Sequence, residues 1–326
     1  MNPISIPCAP WLREIARGKD NPRDLPRADA RTMWAAALDG AITDLELGAI
    51  LVAMRIKGEA VEEIAGFLEA SQDRSLRLPL PPGDYPPVVI PSYNGARNLP
   101  NLTPLLAILL ARAGVPVLVH GKLSDGDAAP GAVAASRTTT AEIFTALGFH
   151  PTKSAAEVGM HLARGEPAFL PLPVLNPQLA RVLGLRRVLG VRNSAHSLVK
   201  MLQPFDGPAL RLASFTHPEY HAMLSEYYRN YATRDTGDVL LSRGTEGEVV
   251  ANPKRAAAIE WFHRGAVTEV SGAVTGTVAG VPNLPESRDA AATARWIQAA
   301  LSGERPVPDA IARQVEVILE VLKQMR

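Results

Sequence analysis

Hydrophobic positions recur at helical spacing through residues 11–70. Trp11, Leu12, Ile15 and Ala16 fall on one side of a first segment, and Met33, Trp34, Ala37 and Leu38 on one side of a second. A third opens with Thr43-Asp44-Leu45-Glu46, a capping-box pattern, and Gly58 is placed to end it. A fourth repeats Val61, Ile64, Ala65 and Leu68. Four consecutive amphipathic helices predict a small helical unit. Pro79-Leu80-Pro81-Pro82-Gly83-Asp84-Tyr85-Pro86-Pro87 then reads as a stiff linker.

Beyond the prolines the pattern changes to short apolar runs alternating with helical stretches. Strands are expected at 88–90, 115–119, 168–170 and 238–241. Helices are expected at 103–113, 139–147 and 154–163, the last two opening with Thr139…Glu142 and Ser154…Glu157, and near 289–301 and 308–325. Strands alternating with helices predict an α/β fold with a mainly parallel sheet.

The chain has 326 residues, ample for a buried core, with 47% hydrophobic and 21% charged residues. The net charge of +1 excludes no partner, but its distribution is uneven. Residues 1–80 carry 10 Lys/Arg against 12 Asp/Glu, residues 81–244 carry 15 against 11, and residues 245–326 carry 9 against 10. Between Arg181 and Arg211 six cations (Arg181, Arg186, Arg187, Arg192, Lys200, Arg211) face one acid, Asp206. Cys8 is the single cysteine, which excludes an intramolecular disulfide, and it lies in a proline-flanked N-terminus expected to be flexible. No run approaches the roughly 20 apolar residues needed to span a bilayer, and no signal-peptide core is evident, so a soluble, cytoplasmic protein is expected.

Candidate chemistry centres on Val89-Ile90-Pro91-Ser92-Tyr93-Asn94-Gly95-Ala96-Arg97-Asn98, between a strand and a helix. An α/β enzyme places a glycine-rich phosphate loop there. Only Gly95 is present, so the phosphate grip reads as altered or lost. His217 and His221 share helical spacing but have no third ligand, and no metal site is expected. Tyr93, Phe205, Tyr227, Tyr228 and Tyr231 are candidates for stacking on unpaired bases, with Tyr93 the strongest; the other tyrosines have the spacing of packed helix residues.

Several stretches carry a family resemblance. Arg17-Gly18-Lys19, Met33…Asp39-Gly40…Thr43-Asp44 and Ala53-Met54-Arg55-Ile56-Lys57-Gly58-Glu59…Glu62-Glu63-Ile64-Ala65-Gly66 resemble the N-terminal domain of anthranilate phosphoribosyltransferase. The likeness continues through Ala113-Gly114-Val115-Pro116-Val117…His120-Gly121, Leu147-Gly148 and Arg186-Arg187-Val188-Leu189-Gly190-Val191-Arg192. It implies the class-II nucleoside phosphorylase-like architecture. A helical domain (1–78, with a contribution from about 171–190) would join an α/β domain (79–326), and homodimers would form through the helical domain.

The departures fall on the chemistry. The family's Gly-Thr-Gly-Gly-Asp loop, which binds the pyrophosphate of phosphoribosyl pyrophosphate, is Pro91-Ser92-Tyr93-Asn94-Gly95 here. Its Asn-x-Ser-Thr survives in part as Asn101-Leu102-Thr103-Pro104, and its Lys-His-Gly-Asn as Val119-His120-Gly121-Lys122. The acidic pair that organises magnesium is replaced by Glu246-Gly247, with Glu248 one step beyond; Gly-Pro-Leu-Thr-Asn-Pro becomes Val199-Lys200-Met201-Leu202-Gln203-Pro204. Arg186 matches an arginine that contacts the aromatic acceptor.

This pattern resembles the YbiB-like branch of the superfamily. That branch implies dimers that bind single- or double-stranded nucleic acid with little sequence preference. Arg97, Lys122, Arg186, Arg187, Arg192 and Lys200 are the expected contacts, with no catalytic residue, cofactor, metal or membrane. The alternative is a phosphoribosyltransferase with an altered donor loop, using magnesium and phosphoribosyl pyrophosphate.

Overall fold

A computed structural model describes residues 6–18, 21–124, 137–231, 236–274 and 284–325. Lys19, part of the first family-like stretch, lies outside them. The helical region holds α1 (Ala9–Ile15), α2 (Arg27–Asp39), α3 (Asp44–Lys57) and α4 (Val61–Gln72). Thr43 and Glu46 form the expected reciprocal capping box on α3. Trp34 of α2 stacks on Phe67 of α4 at 4.8 Å and donates its indole N–H to Ser71 Oγ at 3.0 Å. The two helices approach so closely that a Cβ on Gly66 would lie 2.4 Å from the Arg27 carbonyl oxygen, which only glycine avoids. Cys8 is buried against this unit rather than flexible, because its N–H reaches Glu46 and its thiol Ile6 O.

The rest of the chain is built on one sheet. Its elements are β1 (Val88–Ser92), α5 (Thr103–Arg112), β2 (Val117–Gly121), α6 (Thr140–Ala146), α7 (Ala155–Ala163), β3 (Ala168–Pro171), α8 (Leu172–Leu175), α9 (Pro177–Gly184), α10 (Arg186–Leu189), α11 (Ala195–Leu198), β4 (Leu210–Phe215), α12 (Pro218–Tyr231), β5 (Val239–Arg243), β6 (Ile259–His263), β7 (Ala266–Ser271), α13 (Ala290–Ser302) and α14 (Asp309–Gln324). The strand order is β3-β2-β1-β4-β5-β6-β7. The first five strands are parallel, and β6 and β7 add antiparallel.

Alternate side chains on each strand feed two cores. Val88 and Ile90 of β1, with Val117 and Val119 of β2, join the core shared with α5, α6, α13 and α14. Val89, Leu118 and Leu170 join the core that is continuous with the helical region. A strand buried on both faces reads as an unbroken apolar run, which is the composition of β1 and β2. Each buried aliphatic side chain contributes about 1.5–3 kcal/mol.

Segments from both halves are tied together. Asn176 caps α9 through Leu179 N–H and donates to Ser71 O and Ser75 Oγ. Arg77 pairs with Asp206 at 2.8 Å and donates to the Gln203 and Phe205 carbonyls. No described helix is long and apolar enough to cross a membrane.

Candidate anion-binding cleft

The sheet reverses its winding between β1 and β4. In open α/β sheets that switch point leaves a crevice outside the carboxyl ends of the strands. The loop after β1, the end of β4 and the loop after β5 meet there.

The loop after β1 aims five backbone N–H groups at two carboxylates. Asn94 and Gly95 both donate to Glu248 Oε1 at 2.8 Å. Arg97 donates to Glu246 Oε2 at 3.0 Å, and Asn98 and Leu99 to Glu246 Oε1 at 2.8 Å. Gly95 has φ 60°, and a Cβ there would lie 2.8 Å from the Thr138 carbonyl oxygen, so this one glycine suffices to fold the cradle. Thr103 Oγ1 lies 3.5 Å from Glu248 Oε2, and Arg137 lies 3.7 Å from Glu246 and donates to Gly95 O. From the sequence the phosphate grip reads as altered or lost. Backbone amides converge there, and two carboxylates fill them.

Other residues in and around the loop after β1 are engaged within the protein. Ser92 Oγ meets Thr140 Oγ1 at 2.7 Å, and the Asn101 amide donates to that same hydroxyl while its oxygen accepts Thr103 N–H. Pro91 pairs in register with His120, and a Cβ on Gly121 would lie 1.9 Å from Ser92 O. Tyr93 is buried, with its hydroxyl 2.7 Å from His120 Nδ1. The stacking role expected of Tyr93 is therefore corrected, and Phe205, Tyr227 and Tyr228 are buried likewise. Burial pushes the His120 pKa down to about 3, so the ring is neutral.

Beside the cradle lies a cavity of about 80 Å³, lined by Arg55, Glu59, Arg192, His196, Lys200 and Phe215 among others. Burial pushes the Lys200 ammonium down to about 8; Glu248 opposes that shift, and Arg192 and Arg137 add to it. Arg192 is pushed down by desolvation and then by Arg186 and Arg137. His196 falls to about 3 through burial and the charges of Arg192, Lys122 and Arg186, and its buried Nε2 has no hydrogen-bond partner among the described residues. Cations from α3, from the loop after β2 and from residues 137–200 thus act on one another around a single cavity. Glu59 is the acid among its lining residues, and its carboxylate accepts from Ser194 Oγ. Lys200 Nζ and Ser214 Oγ both donate to Gly247 O, joining this cavity to the loop that carries the two glutamates.

The basic stretch therefore divides. Arg192 and Lys200 line the cavity, and Arg186 and Lys122 act on its residues. Arg97 and Arg187 are exposed and are not among the residues that line it. Arg181 instead donates to the Ala37 and Leu38 carbonyls at the end of α2. Arg211 is buried, with its guanidinium over the Tyr228 ring. Arg55, Arg137 and His196 also join the site, although only Arg55 stood in a family-like stretch. Their distance along the chain from 181–211, or the want of charge on His196, conceals them in the sequence.

A larger groove of about 1150 Å³ lies between α2, α4 and α12 and is also lined by arginines. There Arg27 pairs with Glu69, Arg31 with Asp73, Arg74 with Asp39 and Arg77 with Asp206.

The residues present do not fit the magnesium-organising role that the resemblance assigns. Glu246 and Glu248 turn their carboxylate oxygens to backbone N–H groups. Among the described residues no group of three or more His, Cys, Asp or Glu side chains is placed to hold a metal ion.

Comparison with known proteins agrees with this architecture. Residues 9–75 match the helical bundle domain of a glycosyl transferase family. The uncharacterized protein YbiB of Escherichia coli K12 is 41% identical over 309 residues, covering 94% of this chain and 92% of YbiB. An anthranilate phosphoribosyltransferase of Symbiobacterium thermophilum is 29% identical over 243 residues, covering 72% of this chain and 64% of that enzyme. The anthranilate phosphoribosyltransferase structure from Thermus thermophilus superimposes with a TM-score of 0.73 at 22% identity, over 99% of this chain and 90% of that one. The chain belongs to the glycosyltransferase family 3 superfamily, alongside YbiB and the anthranilate phosphoribosyltransferases.

Proposed function

We propose that this protein binds nucleic acid through the cationic cleft at the carboxyl ends of β1 and β4, with little sequence preference. One observation carries the reading. Arg55, Arg186 and Arg192 act on a common cavity with no carboxylate in ion-pair contact among the described residues. Cations so placed favour a polyanion, and each phosphate they neutralise releases counterions. The proposed interaction is with the phosphate backbone, whose contacts carry no sequence information.

Two copies would extend the cleft. On α3, Leu45, Ala49, Val52 and Ile56 form an exposed stripe opposite the buried Leu47, Ile50, Leu51 and Met54. Leu45 is 84% and Ile56 81% exposed. An apolar stripe at this spacing suits a twofold contact. Replacing both residues with Asp is expected to yield a folded monomer, detected by light scattering on a sizing column.

The primary test is the anisotropy of a labelled oligonucleotide across a salt series. Affinity that falls linearly with salt on logarithmic axes supports the proposal, and no binding at low salt removes it. A second reading, a phosphoribosyltransferase, rests on the relatives that carry that name. It requires magnesium-dependent binding of phosphoribosyl pyrophosphate, measurable by calorimetry.

A further inference from the structure

We infer that the loop of residues 244–248 is a built-in anion, whose two carboxylates occupy a phosphate-class site made by the main chain of residues 94–99 and close it to diphosphate ligands. This stands apart from the nucleic-acid reading, since it concerns the cradle and not the cationic cavity.

Three observations support it. Five N–H groups within six residues converge on Glu246 and Glu248. A concave run of backbone amides binds anions, and it accepts carboxylate or phosphate oxygens alike. Second, the glutamate loop is shaped to its seat. Glu246 holds φ 55°, a left-handed conformation that side chains rarely adopt and that persists where surrounding contacts enforce it. Gly247 holds φ 91°, and a Cβ there would lie 1.6 Å from Asn94 Nδ2, the group that donates to Glu246 O. Third, Arg137 and Lys200 flank the contact. With the carboxylates withdrawn, the cradle would keep its donors and would still lie between those two cations.

A diphosphate can enter only by expelling both side chains. The probe is inorganic pyrophosphate, titrated calorimetrically with and without magnesium. The unaltered protein is expected to give no binding. E246A/E248A is expected to bind at least about tenfold more tightly than the unaltered chain. E246Q/E248Q keeps an acceptor oxygen for the amides while losing the charge, and is expected to fall between.

A folded E246A/E248A protein with no gain would overturn the inference, and so would an unaltered protein that binds as tightly as the variant. Should the alanine pair not fold, the glutamine pair decides by the same criterion. The gain must also persist in an R192A background. Abolition there would place the pyrophosphate in the cationic cavity and sink the idea. Oligonucleotide anisotropy on the same variants separates the two proposals: a pyrophosphate gain without oligonucleotide binding would remove only the nucleic-acid reading.

Discussion

Two arginine-lined recesses face different ways energetically. In the groove between α2, α4 and α12, Arg27, Arg31, Arg74 and Arg77 each meet a carboxylate. In the cleft at the carboxyl ends of the strands, Arg55, Arg186 and Arg192 meet one another's fields instead. The groove is much the larger, about 1150 Å³ against about 80 Å³. On the proposed reading, size is therefore a poor guide to where a polyanion binds. A paired arginine offers an incoming phosphate little, because its charge is already compensated. The folded protein holds Arg192 and Lys200 at an electrostatic cost, which an anion would relieve.

The largest expected effect comes from removing cations of the cleft. Each charge-assisted contact contributes about 1.4 kcal/mol or more, so R192A/K200A should weaken oligonucleotide binding about 100-fold. The slope of log affinity on log salt should become shallower by about 1.4 for single strands. Unchanged affinity and slope in the folded variant would erase the distinction between the recesses.

A pH series should give a smaller effect. Lys200 is pushed down to about 8, so in the folded protein it loses its proton as pH rises through that value. Oligonucleotide affinity should fall about tenfold between about pH 7 and about pH 9.5, and K200R, which stays charged, should abolish that fall. Folding disfavours the charged form of Lys200. Its cost is present below about 8 and is relieved as pH rises towards the ordinary 10.5.

The two histidines pushed down to about 3 work at the other end of the scale. The unfolded chain binds their protons below the ordinary 6.5 and the folded chain does not, so the melting temperature should drop as pH falls from 6.5 towards 3. In H196N that drop should be smaller. The smallest effect belongs to the paired groove. R31A/R74A should change oligonucleotide affinity by less than about twofold and stability by about 1 kcal/mol or less per exposed pair.

The framework is legible in the sequence because periodicity and caps are local. The Thr43–Glu46 and Thr139–Glu142 boxes and the Ser154 cap all form where the pattern puts them. The strand at 210–215 is not among the expected ones. Arg211 interrupts its apolar run, and the burial of that arginine depends on Tyr228, 17 positions later. The site is less legible for the same reason. Glu246 and Glu248 are about 150 positions from the amides they fill, and backbone N–H groups leave no trace in residue identity. A loop position implies exposure for Tyr93, whereas its hydroxyl is held by His120 inside the core.

The position of Arg55 has a consequence for strands of different length. It lies between Val52 and Ile56 of the exposed stripe of α3 and acts on Arg192 in the cleft. In a twofold dimer built on that stripe, two clefts would lie at a fixed separation. A strand long enough to reach both binds the second at a high effective concentration, so its avidity exceeds that of either cleft alone. A strand too short to span them gains nothing. Affinity plotted against oligonucleotide length should then show a step, and the step should vanish in a monomeric variant.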